Sequence, residues 1–288
     1  MTKPIVKSFF DPATNTITHI AHDPAHLEAI IFDPVLDYCA ASGRTDTKSA
    51  DMVIDYVQNA KLRVKYIIET HAHADHLSSA PYLKEKLGGQ IMIGAHIDEV
   101  QKVFGDVFNA DESFATDGSQ FDALPKDGDT FMLGDIKVTA MHTPGHTPAC
   151  MSYLVGDAVF VGDTLFMPDF GTARCDFPGG SAQTLYNSIQ KLFTLPDETR
   201  VFLCHDYKAP GRDEYVWETT IGAEKRHNKH VGGGIDMDSF VKMRTERDAQ
   251  LAMPKLILPS VQVNMRAGEF PPAEDNGTIY LKIPVNAL

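Results

Sequence analysis

The chain has 288 residues, of which 43% are hydrophobic and 23% are charged, as is ordinary for a soluble globular protein. Its formal net charge of −13 argues against a nucleic-acid-binding function, because a phosphate backbone would be repelled. No stretch reaches transmembrane length, and four separated cysteines without a C-x-x-C pair indicate a reducing compartment, so we expect a cytoplasmic protein with no membrane attachment: Cys39, Cys150, Cys175 and Cys204.

Apolar periodicity predicts strands and helices that alternate along the chain. The predicted elements are, in order, strands at 17–21 and 28–35, a helix at 48–60, a strand at 64–69, a helix at 77–87, strands at 90–95, 135–141, 151–155 and 158–162, a helix at 181–195, a strand at 201–204, and helices at 219–230 and 238–251. A proline-rich tail follows. This interleaving favours an α/β or layered α+β class.

The most informative segment is Thr70-His71-Ala72-His73-Ala74-Asp75-His76, which directly follows an apolar strand. Imidazole and carboxylate ligands together suit zinc, iron or manganese better than calcium or magnesium. In an extended segment His71 and His73 project from the same face, since side chains alternate with period two. Asp75 and His76 can approach the same point from the first turn of the helix predicted next. The segment therefore predicts a metal site at a strand end.

Three later motifs also place a histidine or aspartate just beyond an apolar strand: His142-Thr143-Pro144-Gly145-His146-Thr147, Gly162-Asp163-Thr164 and His205-Asp206-Tyr207. Strand ends are where α/β proteins assemble their sites. A buried Asp163 without a partner would be costly, and metal coordination is the simplest partner. We assign His142 either to a structural position or to a supporting role beside the metal ligands. The remaining histidines are assigned to surface or core positions: His19, His22, His26, His96, His227 and His230.

The four motifs, in this order, resemble those of the metallo-β-lactamase superfamily over roughly residues 15–210. The resemblance implies an αββα sandwich with the metal site at one edge of the sheets, formed by residues 1–288 as a single domain with a C-terminal helical extension from about residue 215. It also implies two metal positions, the first at His71, His73 and His146, the second at Asp75, His76 and His205, with Asp163 able to bridge. A two-metal hydrolase such as a glyoxalase II uses all seven.

A narrower similarity points to the persulfide dioxygenases, also called sulfur dioxygenases. It is carried by Gly171-Thr172-Ala173-Arg174-Cys175-Asp176-Phe177, Ser181-Ala182-Gln183-Thr184-Leu185-Tyr186, Ile31-Phe32-Asp33-Pro34-Val35, His205-Asp206-Tyr207 and Val263-Asn264-Met265-Arg266. This resemblance implies one Fe(II) per chain, held by His71, His146 and Asp163 in a 2-His-1-carboxylate arrangement that leaves positions open. His73, Asp75, His76 and His205 then form an outer shell, or become ligands if two metals bind.

The same resemblance implies the reaction and the residues that serve it. Glutathione persulfide or a related small-thiol persulfide would be oxidised by O2 to sulfite, in sulfide detoxification. Tyr207 and Asp75 are the implied catalytic residues. Arg174 is similar to an arginine that anchors a glutathione carboxylate through its bidentate donors, and Arg266 and Tyr207 complete the implied substrate-binding set. A homodimer and a separate rhodanese that supplies the substrate are also expected.

Two departures from the mitochondrial-type members bear on the thiol. Met167-Pro168-Asp169-Phe170 lies in a longer linker and is expected to reshape the substrate pocket. Ala267 stands where those members have a cysteine near the glutathione site. Coenzyme A persulfide, another small-thiol persulfide and inorganic polysulfide therefore stay open as substrates.

Two other function classes share these residues. A di-zinc hydrolase of thioesters or lactams would use the same seven ligands, with a bridging hydroxide that attacks the carbonyl. A redox-sensing or metal-sensing module without turnover is the third interpretation, although no other segment resembles a transduction domain. The number and identity of the bound metal ions discriminate between the first two.

Overall fold

The computed structural model describes residues 3–286. Within these residues the strands are β1 (Ile5–Asp11), β2 (Thr16–His22), β3 (Glu28–Phe32), β4 (Val35–Cys39), β5 (Arg44–Asp46), β6 (Arg63–Ile68), β7 (Leu77–Ser78), β8 (Gln90–Met92), β9 (Thr130–Leu133), β10 (Ile136–His142), β11 (Met151–Val155), β12 (Ala158–Phe160), β13 (Arg200–Phe202) and β14 (Glu218–Thr220). The α-helices are α1 (Lys48–Asn59), α2 (Ala80–Leu87), α3 (Ile97–Val107), α4 (Ala182–Leu192), α5 (Ile221–His227), α6 (Met237–Asp248) and α7 (Ile257–Asn264). None of the helices in this part of the chain is long and apolar enough to cross a bilayer.

The first sheet contains five strands in the order β1-β2-β3-β6-β8. The pairs β3–β6 and β6–β8 are parallel, and the other pairs are antiparallel. Successive residues of a strand face opposite sides of a sheet. In β3, Ala29 and Ile31 accordingly pack with α1 and α2, whereas Ile30 and Phe32 pack against strands of the second sheet. β3 is thus buried on both faces of the sheet, which explains its nearly continuous apolar run.

The second sheet contains six strands in the order β14-β13-β12-β11-β10-β9, and its β12–β13 pair is parallel. Phe160 faces the first sheet and stacks on Phe32, with ring centroids 4.1 Å apart. Val159 and Val201 face the other way and pack with α4, α5 and α6. The molecule is therefore a four-layer αββα sandwich, and the predicted fold class is confirmed.

Backbone hydrogen bonds join the two sheets at the edge where β6 and β13 end. The amide of Met151 in β11 donates to the carbonyl of Thr70, two residues beyond β6 (2.9 Å). The amide of Ile17 in β2 donates to the carbonyl of Cys204, two residues beyond β13 (2.7 Å). Because β12 is parallel to β13, it also ends at this edge. The segments that carry the histidine and aspartate motifs therefore meet there.

Two predicted elements near the first motif are wrong in extent. Asp33 adopts a φ of +49° and divides the predicted strand at 28–35 into β3 and β4, and β4 then joins a small third sheet with β5 and β7. The helix predicted from residue 77 begins only at Ala80, because Leu77 and Ser78 pair with β4. Asp75 and His76 therefore lie in the loop before β7 and not in the first turn of a helix.

The C-terminal part of the chain differs in detail from the predicted helices. The helix predicted at 219–230 is the edge strand β14 followed by α5, and the helix predicted at 238–251 is α6. Both helices contribute to the apolar layer that covers the outer face of the second sheet. The assignment of residues 1–288 to a single domain with a helical extension from about residue 215 stays a prediction.

Candidate metal centre

Four loops at the shared edge of the sheets bring the predicted metal ligands together. The loop between β6 and β7 carries His71, His73, Asp75 and His76; the loop after β10 carries His146; the 3₁₀ turn Gly162–Thr164 carries Asp163; and the segment after β13 carries His205. All except Asp75 are buried. Burial of so many polar side chains at one point requires partners for their nitrogen and oxygen atoms.

His71, His146 and Asp163 face one common point. The Oδ2 atom of Asp163 lies 3.7 Å from Nε2 of His146 and 4.0 Å from Nε2 of His71. These distances are too long for hydrogen bonds. The three ligand atoms nevertheless all lie within 4.8 Å of one another, so a single ion between them could bind all three. The arrangement has the composition of a 2-His-1-carboxylate site.

The other oxygen of Asp163 faces a second set of side chains. Its Oδ1 atom lies 3.3 Å from Nε2 of His205, and that nitrogen lies 3.2 Å from Oδ2 of Asp75. Nδ1 of His76 lies 3.5 Å from the other oxygen of Asp75. Asp163 therefore stands between the two sets, as a bridging ligand would.

Several buried polar atoms at this point have no hydrogen-bond partner. They are His71 Nε2, His73 Nδ1, His76 Nε2, His205 Nε2, Asp163 Oδ1 and Asp75 Oδ2. A buried group left unsatisfied costs about 1–3 kcal/mol, and one metal ion can satisfy several such groups at once. The residues present therefore fit a metal ion.

The protein engages the opposite ring nitrogen of four of these histidines. His71 Nδ1 lies 3.1 Å from Thr70 Oγ1, His73 Nε2 lies 2.9 Å from Asp33 Oδ1, His146 Nδ1 lies 2.8 Å from the carbonyl oxygen of Arg174, and His205 Nδ1 lies 3.2 Å from the carbonyl oxygen of Asn15. Bonds of this kind fix the ring and leave the other nitrogen free to bind a metal.

The electrostatic environment differs between neighbouring histidines. Burial and the nearby imidazoles of His73 and His146 lower the pKa of His71 well below its usual range, which favours the neutral imidazole that a metal ligand must be. Burial acts in the same direction on His73, but the carboxylates of Asp33 and Glu69 outweigh it and raise the pKa of His73. Asp33 therefore holds His73 both by charge and by a hydrogen bond.

A cavity of about 580 Å³ opens above Asp75, His146 and Asp163. Aromatic side chains line its walls: Phe166, Phe170, Phe177 and Tyr207. Positively charged side chains also contribute to its lining: Arg174, Arg244, Arg247 and Lys255. The cavity thus combines a site for a metal, an apolar wall and cationic groups in a protein of net negative charge.

The three predicted substrate-binding residues differ in whether they line the cavity and in the contacts they already make. Tyr207 lines the cavity, and its ring stacks on that of His205 with centroids 5.6 Å apart. Arg174 also lines the cavity, but its guanidinium donates to both carboxylate oxygens of Asp176 (2.6 Å each). Arg266 is not brought to this cavity. Its guanidinium lies 4.1 Å from the ring centroid of Phe114, so its position gives the predicted substrate contact no support.

The two departures noted in the sequence also lie in different places. Phe170, from the longer linker, lines the cavity. Ala267 is buried in the core formed by the first sheet and its helices and does not line the cavity. The loss of a cysteine at position 267 therefore removes no group from the cavity wall.

Asp33 is the important residue to which the sequence interpretation gave no role. It is buried beside the metal centre and accepts hydrogen bonds from the Thr70 amide (2.7 Å), the Thr70 hydroxyl (2.9 Å) and His73. Its signal was present, because a carboxylate followed by proline interrupts an otherwise apolar run at Ile31-Phe32-Asp33-Pro34-Val35. In a buried run, such a carboxylate needs a specific partner.

Metal binding is expected to stabilise the fold. An ion that binds only the folded chain stabilises it by about 2.7 kcal/mol at a free concentration of 100 Kd. Thermal unfolding of metal-free protein, with and without added Fe(II) or Zn(II), measures this effect as a rise in Tm. Mg(II) is the control, since a hard cation has little affinity for imidazole nitrogen. An unchanged Tm with all three ions would contradict the expectation.

Comparison with known proteins agrees with this geometry. The model of the metallo-beta-lactamase superfamily matches residues 28–205. A Burkholderia pseudomallei protein named as a probable metallo-hydrolase is 56% identical over 98% of this chain and 99% of its own length. Glyoxylase B2 of Dictyostelium discoideum is 52% identical over 90% of this chain and 89% of its own.

More distant similarity extends to proteins with another name. The human mitochondrial persulfide dioxygenase ETHE1 is 29% identical over 92% of this chain and 89% of its own length. Among solved structures, that of ETHE1 from Myxococcus xanthus superposes with a TM-score of 0.72 at 32% identity, and it covers 92% of this chain and 100% of the other.

Proposed function

The chain belongs to the metallo-β-lactamase superfamily, and within it we propose that the protein is an Fe(II)-dependent persulfide dioxygenase. The observation that carries this proposal is the group His71, His146 and Asp163, whose ligand atoms converge and of which His146 and Asp163 line the cavity. Two histidines and one carboxylate are the ligand set of many non-haem iron oxygenases. The motif at residues 171–177 and the name of the human relative support the same activity.

The metal site and the cavity would have different roles in this reaction. Bound Fe(II) would supply the one-electron chemistry that lets O2 react with a sulfur atom. His71, His146 and Asp163 would hold the ion, and the aromatic walls would exclude bulk water from it. Asp75 and Tyr207, which face the cavity, would bind and orient water and substrate. The overall conversion takes a persulfide, O2 and water to a thiol and sulfite.

The cavity favours a persulfide whose thiol carrier is anionic. Arg247 and Lys255 line it, and no carboxylate of the described residues lies within salt-bridge distance of either. The other two cationic side chains, Arg174 and Arg244, are already bound to carboxylates of the protein. We therefore extend the predicted anchoring role of Arg174 to Arg247 and Lys255. Glutathione persulfide, which carries two carboxylates, fits this arrangement.

Replacement of Arg247 or Lys255 by alanine should weaken substrate binding. Each variant should raise KM for glutathione persulfide about three- to tenfold with little change in kcat, since a charge far from the reacting sulfur contributes uniform binding. Steady-state oxygen uptake measures both constants. Lys242→Ala is the matched control, because Lys242 is exposed on α6 and does not line the cavity. Equal KM values in all three variants would refute the anionic subsite.

Metal analysis of the protein as purified tests the proposed cofactor. About one iron per chain supports the dioxygenase, because the facial triad holds a single ion. About two zinc ions per chain would overturn it in favour of the hydrolase, which needs a two-metal site. The cells are grown in medium that contains both iron and zinc, so that the bound metal reflects the selectivity of the protein and not the supply.

The second candidate function is a di-zinc hydrolase of thioesters or lactams. It is favoured by the unpartnered atoms of Asp75, His76 and His205, which a second ion would satisfy, and by the name of the Dictyostelium relative. Against it, ligand atoms of these three residues do not form a compact group within the described part of the chain, unlike those of His71, His146 and Asp163. The homodimer, the separate rhodanese and the cytoplasmic location stay predictions.

A further inference from the structure

The segment of residues 172–175 connects the cavity wall to a metal ligand. It contains no helix or strand and lines the cavity through its first three residues. In its middle, the carbonyl oxygen of Arg174 accepts a hydrogen bond from Nδ1 of His146 (2.8 Å). This bond sets the direction in which Nε2 of His146 points. The position of one backbone carbonyl therefore controls the orientation of the imidazole.

A buried ion pair on α6, formed by Arg244 and Asp248, makes hydrogen bonds to this segment on both sides of Arg174. The Arg244 guanidinium donates to the carbonyl of Thr172 (3.1 Å), and Oδ2 of Asp248 accepts from the amide of Cys175 (2.9 Å). Arg244 and Asp248 are bound to each other through Oδ1 of Asp248, by bonds of 2.9 and 2.6 Å. Their side chains are only 1% and 6% exposed.

Stability alone gives little reason to bury this pair. The cost of removing two charges from water commonly cancels their attraction, and apolar replacements are often as stable. The pair does provide geometry, since a planar guanidinium has fixed donor directions that a lysine cannot reproduce. Its bonds to residues 172 and 175 fix the short stretch of backbone that presents the Arg174 carbonyl.

We propose that Arg244 and Asp248 are positioning residues that hold the Arg174 carbonyl against His146 and so tune the metal affinity of the centre. The proposal rests on the metal site of the proposed function but not on its reaction. It can therefore be tested with Co(II), in the absence of any persulfide. A failure to oxidise persulfides would leave it untouched.

The first test measures Co(II) binding to metal-free Asp248→Asn protein. Loss of a bond that orients a ligand typically weakens metal binding about 10- to 100-fold, and we expect a change of this size. The visible absorption bands of bound Co(II) should also shift, because they report ligand geometry. Asp157→Asn is the control: Asp157 accepts from Arg200 (2.8 Å) at the start of β13, whereas the metal centre lies beyond its end. Its Co(II) affinity and spectrum should match those of the wild type.

Arg244→Lys provides a second variant, which keeps the positive charge beside Asp248. It should weaken Co(II) binding in the same direction. If both variants fold and bind Co(II) within twofold of the wild type, with its spectrum, the proposal is wrong and the pair is only structural.

If neither variant folds, a measurement on the wild type tests the hydrogen bond between His146 and Arg174 on which the proposal depends. In metal-free protein labelled with ¹⁵N-histidine, the Nδ1 proton of His146 should exchange slowly with water, because it is hydrogen-bonded to the backbone carbonyl oxygen of Arg174. His146→Gln assigns the signal. A rapidly exchanging proton would overturn the proposal.

Discussion

Asp163→Ala should abolish metal binding and activity together. Asp163 supplies the one carboxylate of the proposed iron site, and its two oxygens face His71 and His146 on one side and His205 on the other. We expect iron content to fall below about 0.1 per chain and turnover to fall by on the order of 100-fold or more, since the reaction of O2 with sulfur needs the one-electron chemistry that bound iron would supply. Metal analysis and oxygen uptake on the same preparation measure both.

Asp75→Ala is the informative partner of this variant. It also removes a carboxylate that lines the cavity, but one that the proposed single-iron site does not use as a ligand. It should therefore lose activity and still bind about one iron per chain. If Asp75→Ala loses metal as completely as Asp163→Ala, Asp75 is a ligand and the assignment of the outer shell is wrong.

Asp33→Ala should destabilise the fold more than any other single substitution near the metal centre. Asp33 is 2% exposed and accepts three hydrogen bonds, from the amide and hydroxyl of Thr70 and from His73. Its removal leaves the buried His73 with only Glu69 of the two carboxylates that raise its pKa. Breaking one side of a buried ion pair costs about 3–5 kcal/mol. Urea unfolding of metal-free protein measures the loss.

Two further variants serve as controls for the Asp33→Ala measurement. Asp33→Asn keeps an acceptor for Thr70 and loses only the charge, so it should cost less than the alanine variant. Asp46→Ala removes a carboxylate that forms a surface ion pair with Lys48 and should change the free energy of unfolding by about 1 kcal/mol or less. If Asp33→Ala were no more destabilising than Asp46→Ala, Asp33 would not support His73.

Apolar runs located β6, β12 and β13, because buried strands leave a local signal in the sequence. A histidine or aspartate beyond each run gave the predicted metal ligands, and the structure brings His71, His146 and Asp163 together. Their assignment as ligands stays a prediction. The pattern predicted no helix at α3, although its buried Ile97, Val100 and Phe104 have helical spacing. His96 precedes α3 without a side-chain cap bond, so the usual start signal is missing. The turn at Asp33 was missed because apolar residues continue on both sides of it.

Long-range placement could not be read from spacing. Arg266 belongs to a motif that resembles one of the persulfide dioxygenases, yet it packs on Phe114 outside the cavity, where only the tertiary fold could place it. Arg244 and Asp248 are four residues apart, which in sequence resembles an ordinary pair on a helix surface. Their burial, and their contacts with residues 172 and 175, depend on how α6 packs against the segment after the 3₁₀ turn.

Oxygen uptake with sulfite detection distinguishes a persulfide dioxygenase from a thioester hydrolase. Iron-reconstituted protein is given glutathione persulfide in an oxygen electrode, and S-lactoylglutathione is supplied in a parallel assay. We expect consumption of one O2 for each sulfite released, with S-lactoylglutathione left intact. No oxygen consumption with any persulfide, together with hydrolysis of S-lactoylglutathione, would contradict this expectation and establish the hydrolase.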